Sequence, residues 1–233
     1  MTTFDQVLGL GDDALVAAQR LAQWCARAPE LEEDVALANI ALDQLGVARL
    51  LLTYAGEMEG AGRDEDALAY LRTDREFRNV LLVELPDRDY AVLMAKLLFL
   101  SAFQRLRYES LAAGDDERLA GIAAKAVKES AYHLDHSALW TVRLGDGTEL
   151  SHARMQDAVD EVWPYTHELV AEAPSLRPAW LSTVDDVLTE ATLTRPADAW
   201  QPGGGRDGRH TEALSYLLAE MQVLHRAHPG ARW

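Results

Sequence analysis

The sequence predicts an all-α protein: a four-helix bundle with additional helices, forming one domain over residues 1–233. Three observations predict it. Apolar residues recur at the 3.6-residue helical period through almost every segment, and convincing alternation of apolar and polar residues is absent. Two long periodic stretches, a crossover of short ones and two further long stretches supply the elements of a bundle. No linker divides the chain, and no internal repeat of the kind a helical solenoid needs is found.

The elements follow in order. Asp12 or Asp13 is expected to cap a first helix that runs to about Ala28 and stops before Pro29. A long second helix extends from about Glu30 to Glu59, with Leu37, Ile40, Val47, Leu50 and Leu51 in its apolar rows and "GAG" at 60–62 as its stop. The stretch 63–85 reads as two short helices, within which "TDRE" at 73–76 has the form of a capping box. A very apolar long helix occupies Tyr90 to Ala113 and is closed by Gly114. Asp115 or Asp116 opens the next, which ends after Leu144 at "GDG". A further helix begins near Ser151 and passes through Trp163-Pro164, where a kink is expected. "LRPAWLSTVDDVLTEATL" is another helix with Pro178 in its first turn, and the loop 195–210 leads to a last helix from Thr211 to His228.

Composition narrows the function. At 233 residues and 48% hydrophobic content, such a chain can bury roughly 70% of its unfolded surface. A net charge of −16 argues against nucleic acid and anionic membranes, because phosphate binding needs clustered Lys and Arg. No run of 18 apolar residues and no basic segment ahead of an apolar one is present, so neither a membrane span nor a secretory signal is expected, and the compartment is expected to be the cytoplasm. The single cysteine, Cys25, cannot make an internal disulfide and is expected to be a buried packing residue.

The stretch "KESAYH" (128–133) places Glu129 four residues before His133, and His136 follows three later. On a helix these share a face. A bundle can hold metals in its core: the ferritin-like di-iron arrangement takes a Glu from each of two helices and Glu-x-x-His from each of the other two. Counted against that requirement, the chain falls short. The fourth long helix supplies His133, but Ser130 stands where the carboxylate is needed. The second supplies Asp43, but Gly46 replaces the imidazole. The stretch 14–28 contains no Asp or Glu, and neither does 90–108, whose inward candidates are Leu97, Ser101 and Gln104. Only Asp43 and His133 are in register. The economical alternative is a hydrogen bond between buried Asp43 and His133, with Glu129 paired to Lys125, since an isolated buried charge costs several kcal/mol.

Three stretches carry a family resemblance: "APELEEDVALANIALDQLGVARLLLTYAGE", "KAVKESAYHLDHSALWTVRLGDGT" and "HTEALSYLLAEMQVLHRAHPGARW". They resemble the structural C subunits of phenylacetyl-CoA epoxidase, the multicomponent bacterial monooxygenase of aerobic phenylacetate degradation, and the likeness runs from about residue 9 to Trp233. The resemblance implies a ferritin-like, non-catalytic relative of the catalytic A subunit, which it pairs with and supports. It implies that the di-iron centre belongs to the A subunit, and that FAD, an iron–sulfur cluster and NADPH serve a reductase. A B subunit completes the system, and this chain itself is expected to bind no cofactor and no metal. In this reading Asp43, Gly46, Ser130 and His133 are the remains of a ligand set, and Glu129 and His136 form a polar cluster beside it. Self-association is left open.

Remaining features have simpler readings. The loop "QPGGGRDGRH" (201–210) sets Arg206, Arg209 and His210 ahead of a helix N-terminus, so contact with the phosphates of coenzyme A is one possibility, against a connecting loop or a contact between subunits. Most of the six Trp are expected in the core, with Trp200 and Trp233 as interface candidates. His225 and His228 are expected to complement the dipole of the last helix. Two other functions stay open: an independent metalloenzyme using Asp43, Glu129, His133 and His136, and a module that takes the coenzyme A portion through Arg206–His210.

Overall fold

The computed structural model describes residues 3–231, and among them there is no strand. The fold class is all-α and consistent with a ferritin-like helical bundle. Two compact units are present. One runs to Pro86 and resumes at Gly204, and the other spans Asp87–Gly203.

The first unit is built on α1 (Phe4–Ala22) and α2 (Leu31–Glu59). They pack antiparallel: Gly11 lies against Leu52, and the far end of α1 reaches Ala38 and Ala41. The start of α1 differs from expectation. Its cap is Thr3, whose side chain accepts from the Gln6 amide, so Asp12 and Asp13 lie two turns inside the helix rather than at its end. "GLGDD" resembles a loop because glycine weakens helices, yet here it allows close packing. A Cβ on Gly9 would stand 2.9 Å from the Arg206 Nη1, and one on Gly11 would stand 3.0 Å from Leu52 Cδ2. At the other end α1 stops at Ala22, short of the expected Ala28, and Cys25 is therefore exposed in a turn.

α2 matches its expected span and is closed by Gly60 in the left-handed conformation. Leu37, Ile40, Val47 and Leu51 are buried, whereas Leu50 is exposed. Among the described residues α2 is the one helix long and apolar enough to cross a membrane, a test that the core helix of a soluble protein also passes. Three short pieces follow: α3 (Glu65–Tyr70), a 3₁₀ turn at Asp74–Glu76 and α4 (Leu81–Glu84). The capping box is present, with Glu76 accepting from the Thr73 amide at 2.8 Å, but it closes only the 3₁₀ turn. The last helix of the chain, here α10 (Glu212–Ala227), returns to this unit. Its Gln222 Nε2 donates to the carbonyls of Ala69 and Arg72, both at 3.0 Å. His225 and Arg226 lie in its last turn, and His225 also stacks on Tyr70.

The second unit holds α5 (Tyr90–Ala112), α6 (Glu117–Gly145), α7 (Glu149–Val162), α8 (His167–Ala171) and α9 (Arg177–Glu190). Asp89, Asp116 and Thr148 cap α5, α6 and α7 with side-chain acceptors. Pro164 does more than kink α7. The helix ends at Val162, a 3₁₀ turn spans Trp163–Tyr165, and α8 starts anew, because proline has no N–H to continue the ladder. The break serves packing. Trp163 and Trp180 stack with ring centroids 5.7 Å apart, each meets Phe99 edge-on, and the Trp180 indole donates to the Phe99 carbonyl at 3.0 Å. Trp24 and Trp140 are also buried, and Trp200 is exposed. Trp233 lies outside the described residues.

Candidate functional site

Of the four positions that the sequence set against a di-iron ligand set, Asp43 and His133 carry ligating side chains, and Gly46 and Ser130 carry neither a carboxylate nor an imidazole. On α2, Asp43 is half-buried, and Gly46 three residues on has no side chain to ligate; no atom lies within 4 Å of where its Cβ would stand. On α6, Ser130 and His133 are 2% and 1% exposed. Serine there offers a neutral hydroxyl where iron requires an anionic oxygen.

Hydroxyl chemistry continues along α6. Ser137 and Thr141 are fully buried, and each donates to its own helix: Ser137 to the His133 carbonyl at 2.9 Å and Thr141 to the Ser137 carbonyl at 2.8 Å. Opposite them on α5, Ser101 donates to the Leu97 carbonyl at 2.6 Å, and its Oγ lies 3.4 Å from that of Ser137. Hydroxyls that bond back to the preceding turn can be buried without an ion or water. Leu97, Ser101 and Gln104 are all buried, as expected of an inward face. Glu129 is paired with Lys125 at 3.4 Å, also as expected, and His136 is half-buried one helical turn beyond His133. Among the described residues no three His, Cys, Asp or Glu side chains gather closely enough to hold a metal ion.

The carboxylate count for the first helix needs correction. α1 does carry acidic residues in its interior, and they are buried. They answer to arginines. Asp12 makes a two-point pair with Arg72, one arm at 2.9 Å, and its Oδ2 also accepts the Arg78 amide at 2.8 Å. Asp13 takes both Nη atoms of Arg206, at 2.9 and 2.7 Å, and the Val80 amide at 2.8 Å. Each carboxylate thus has a guanidinium and a backbone N–H, the arrangement that makes a buried charge tolerable.

This places the loop 201–210. Arg206 points inward and also donates to the carbonyls of Gly9 and Arg78. His210 is buried against Glu84, with Nδ1 to Oε2 at 2.7 Å and Nε2 to the Phe77 carbonyl at 3.0 Å. Glu84 completes its contacts with the Asn79 side-chain amide at 2.8 Å and the Thr211 backbone amide at 2.6 Å. Arg209 stays at the surface, paired with Asp207 at 3.0 Å. Glycine makes the close fit: a Cβ on Gly205 would stand 2.2 Å from the Asn79 carbonyl oxygen, and Gly208 has φ +75. Two of the three residues considered for phosphate contact therefore hold the C-terminal segment on the short-helix crossover.

Sequence reasoning missed Asp12, Asp13 and Glu84 as buried charges. The signal for the first two was available, because the apolar period of α1 extends back through Leu10, Val7 and Phe4. Their arginine partners lie 60 and 193 residues away, beyond any local pattern.

Comparison with known proteins agrees with the family resemblance of the sequence. The C subunit of 1,2-phenylacetyl-CoA epoxidase from Escherichia coli (strain K12) is 45% identical over 241 aligned positions, covering 97% of each chain. The family described as phenylacetic acid catabolic protein matches residues 1–233. With whole-chain agreement in sequence and an all-α fold consistent with a ferritin-like bundle, the chain belongs to the phenylacetic acid catabolic protein family.

Proposed function

We propose that this chain is a non-catalytic structural subunit of a phenylacetyl-CoA epoxidase, pairing with and supporting the subunit that carries a di-iron centre. The observation that carries the reading is the pair of substituted ligand positions. Gly46 on α2 and buried Ser130 on α6 stand where Glu-x-x-His motifs need an imidazole and a carboxylate. The buried acids of α1 are engaged by Arg72 and Arg206 and so are committed to the fold. The likeness to the C subunit of an epoxidase supplies the context.

In this role the chain contributes binding energy. Iron in the partner supplies oxygen activation when bound. This chain stabilises the partner's folded state by mass action, through an interface of the size that permanent subunits share, commonly above about 2,000 Å². A B subunit and a reductase with FAD, an iron–sulfur cluster and NADPH complete the proposed assembly, which works in the cytoplasm.

The test is phenylacetyl-CoA-dependent NADPH oxidation with product analysis in a reconstituted mixture, alongside gel filtration to check pairing. Activity is expected to vanish when the chain is omitted and to survive Glu129→Gln and His136→Gln in complexes that still pair. Full activity without the chain, or a paired His136→Gln complex that is inactive, would overturn the assignment.

A further inference from the structure

α2 is apolar on a second side. Leu31, Val35 and Leu42 are 74%, 56% and 63% exposed. With Ala38 and Leu45 they repeat at alternating steps of four and three residues, the spacing of a helix that seats a second helix along its seam. Ala38, Leu42 and Leu45 of the stripe, with Ala41, form one wall of an open groove of about 380 Å³, whose other walls come from α1, Cys25, Tyr70 and Met221. A continuous exposed apolar surface of this kind marks an interaction site.

Charge selects the occupant. Glu30, Glu32, Glu33 and Asp34 crowd the start of the stripe, and Glu220 of α10 lies near its α1 side, bonded to Gln23. The chain as a whole carries −16. A second copy would bring the same acidic residues to the seam with no surplus of cations to meet them. A helix flanked by Lys or Arg would be both matched and steered to the groove. We propose that the groove receives an amphipathic helix of the partner subunit, with apolar side chains at three- and four-residue steps and basic residues along its edges. This rests on the subunit reading above and gives it a surface.

Cys25 makes the test direct. It is the single cysteine, it is exposed, and it lines the groove. Its alkylation by N-ethylmaleimide is measured in the isolated chain and in the complex that co-elutes with the partner subunit. The rate is expected to fall about tenfold or more in the complex, and Leu42→Glu is expected to weaken pairing by at least about tenfold while leaving the helical circular dichroism unchanged. Co-elution with unchanged Cys25 reactivity and unaffected pairing of Leu42→Glu would overturn this surface and leave the subunit reading standing. Absence of co-elution would overturn both. Protection that rises with the chain's own concentration would assign the groove to a second copy, and protection by phosphatidylcholine vesicles would assign it to a bilayer; either outcome defeats the proposal.

Discussion

His210 and Glu84, 126 residues apart in the chain, form a buried pair that requires the imidazole to be charged. One ring nitrogen faces the Glu84 carboxylate at 2.7 Å and the other faces the Phe77 carbonyl at 3.0 Å. Both partners are acceptors, and a neutral imidazole carries only one N–H. Against an ionised carboxylate, only the imidazolium satisfies both. Since Thr211, the next residue, stands at the N-cap position of α10 and gives its backbone amide to Glu84, the pair ties the start of the last helix to α4.

Stability should therefore fall as pH rises from near neutrality. Burial pushes the His210 pKa down, but the Glu84 hydrogen bond, the Phe77 carbonyl and the charges of Glu84 and Asp12 outweigh it and hold the pKa above its ordinary value of 6.5. A folded-state pKa above the unfolded one means that the contribution is complete below about pH 6.5 and is lost as pH climbs through the folded value. Thermal unfolding followed across that window should show a decline in the native chain. His210→Gln, which can donate to Glu84 but carries no charge, should be less stable by about 2 kcal/mol on the acid side. The two curves should converge at higher pH. Parallel curves would show that His210 does not titrate within the fold.

The Asp12–Arg72 pair offers a second test. Both side chains are buried, and Arg72 also lies over the Phe77 ring. Asp12→Ala leaves a buried guanidinium short of its anion and should cost about 3–5 kcal/mol. Asp12→Leu with Arg72→Met should recover a substantial part of that loss, because an apolar pair of similar volume avoids desolvating two charges. Chemical denaturation of Asp12→Leu, Arg72→Met and the double variant that combines them measures the coupling directly. Additive losses would mean that the two side chains do not act as a pair.

How much was legible follows from how local each signal is. α2, α5, α6 and α9 were readable because apolar period and end signals agree within one stretch: Gly60 closes α2, Gly114 follows the end of α5, Asp116 opens α6, and Pro178 sits in the first turn of α9. α1 was misplaced at both ends. Gly9 and Gly11 there are demanded by neighbours far along the chain, which local propensity cannot register. The places of Gly46 and Ser130 relative to Asp43 and His133 were visible as spacing on single helices. The inward turn of Arg206 and His210 was not, because it depends on Asp13 and Glu84, each more than 120 residues distant. Cys25 was misjudged for a related reason: a helical register was extended past Ala22, where the helix has ended.

Iron analysis should separate the present reading from an independent metal centre. The chain, purified after expression in iron-supplemented medium, should carry well under one iron per chain, and His133→Ala should leave the residual content unchanged. Asp43 and His133 are the only members of the expected ligand set in register, and two ligands fall short of what a structural or catalytic site requires. One or two iron atoms per chain, lost on His133→Ala, would mean that this bundle holds a centre of its own.

Rebuilding the motifs, with Asp43→Glu, Gly46→His and Ser130→Glu together, should yield neither stoichiometric iron nor oxygenase activity, and the three changes should differ in cost. Gly46→His places a side chain where no atom lies within 4 Å of the new Cβ, and it removes a glycine from a helix interior. Alone it should be neutral or stabilising by up to about 1 kcal/mol. Ser130→Glu is the damaging step, because it buries a carboxylate at a position only 2% exposed, with an expected penalty of several kcal/mol. Iron could offset that penalty only with carboxylates from the remaining long helices. α5 has none from Tyr90 to Tyr108, and those buried in α1 are held by Arg72 and Arg206. Denaturant unfolding of the single and triple variants, with and without ferrous iron under anaerobic conditions, should show Ser130→Glu accounting for most of the loss and iron restoring none of it. Stabilisation of the triple variant by iron, or turnover on phenylacetyl-CoA, would show that the faces of α2 and α6 still present a functional ligand geometry.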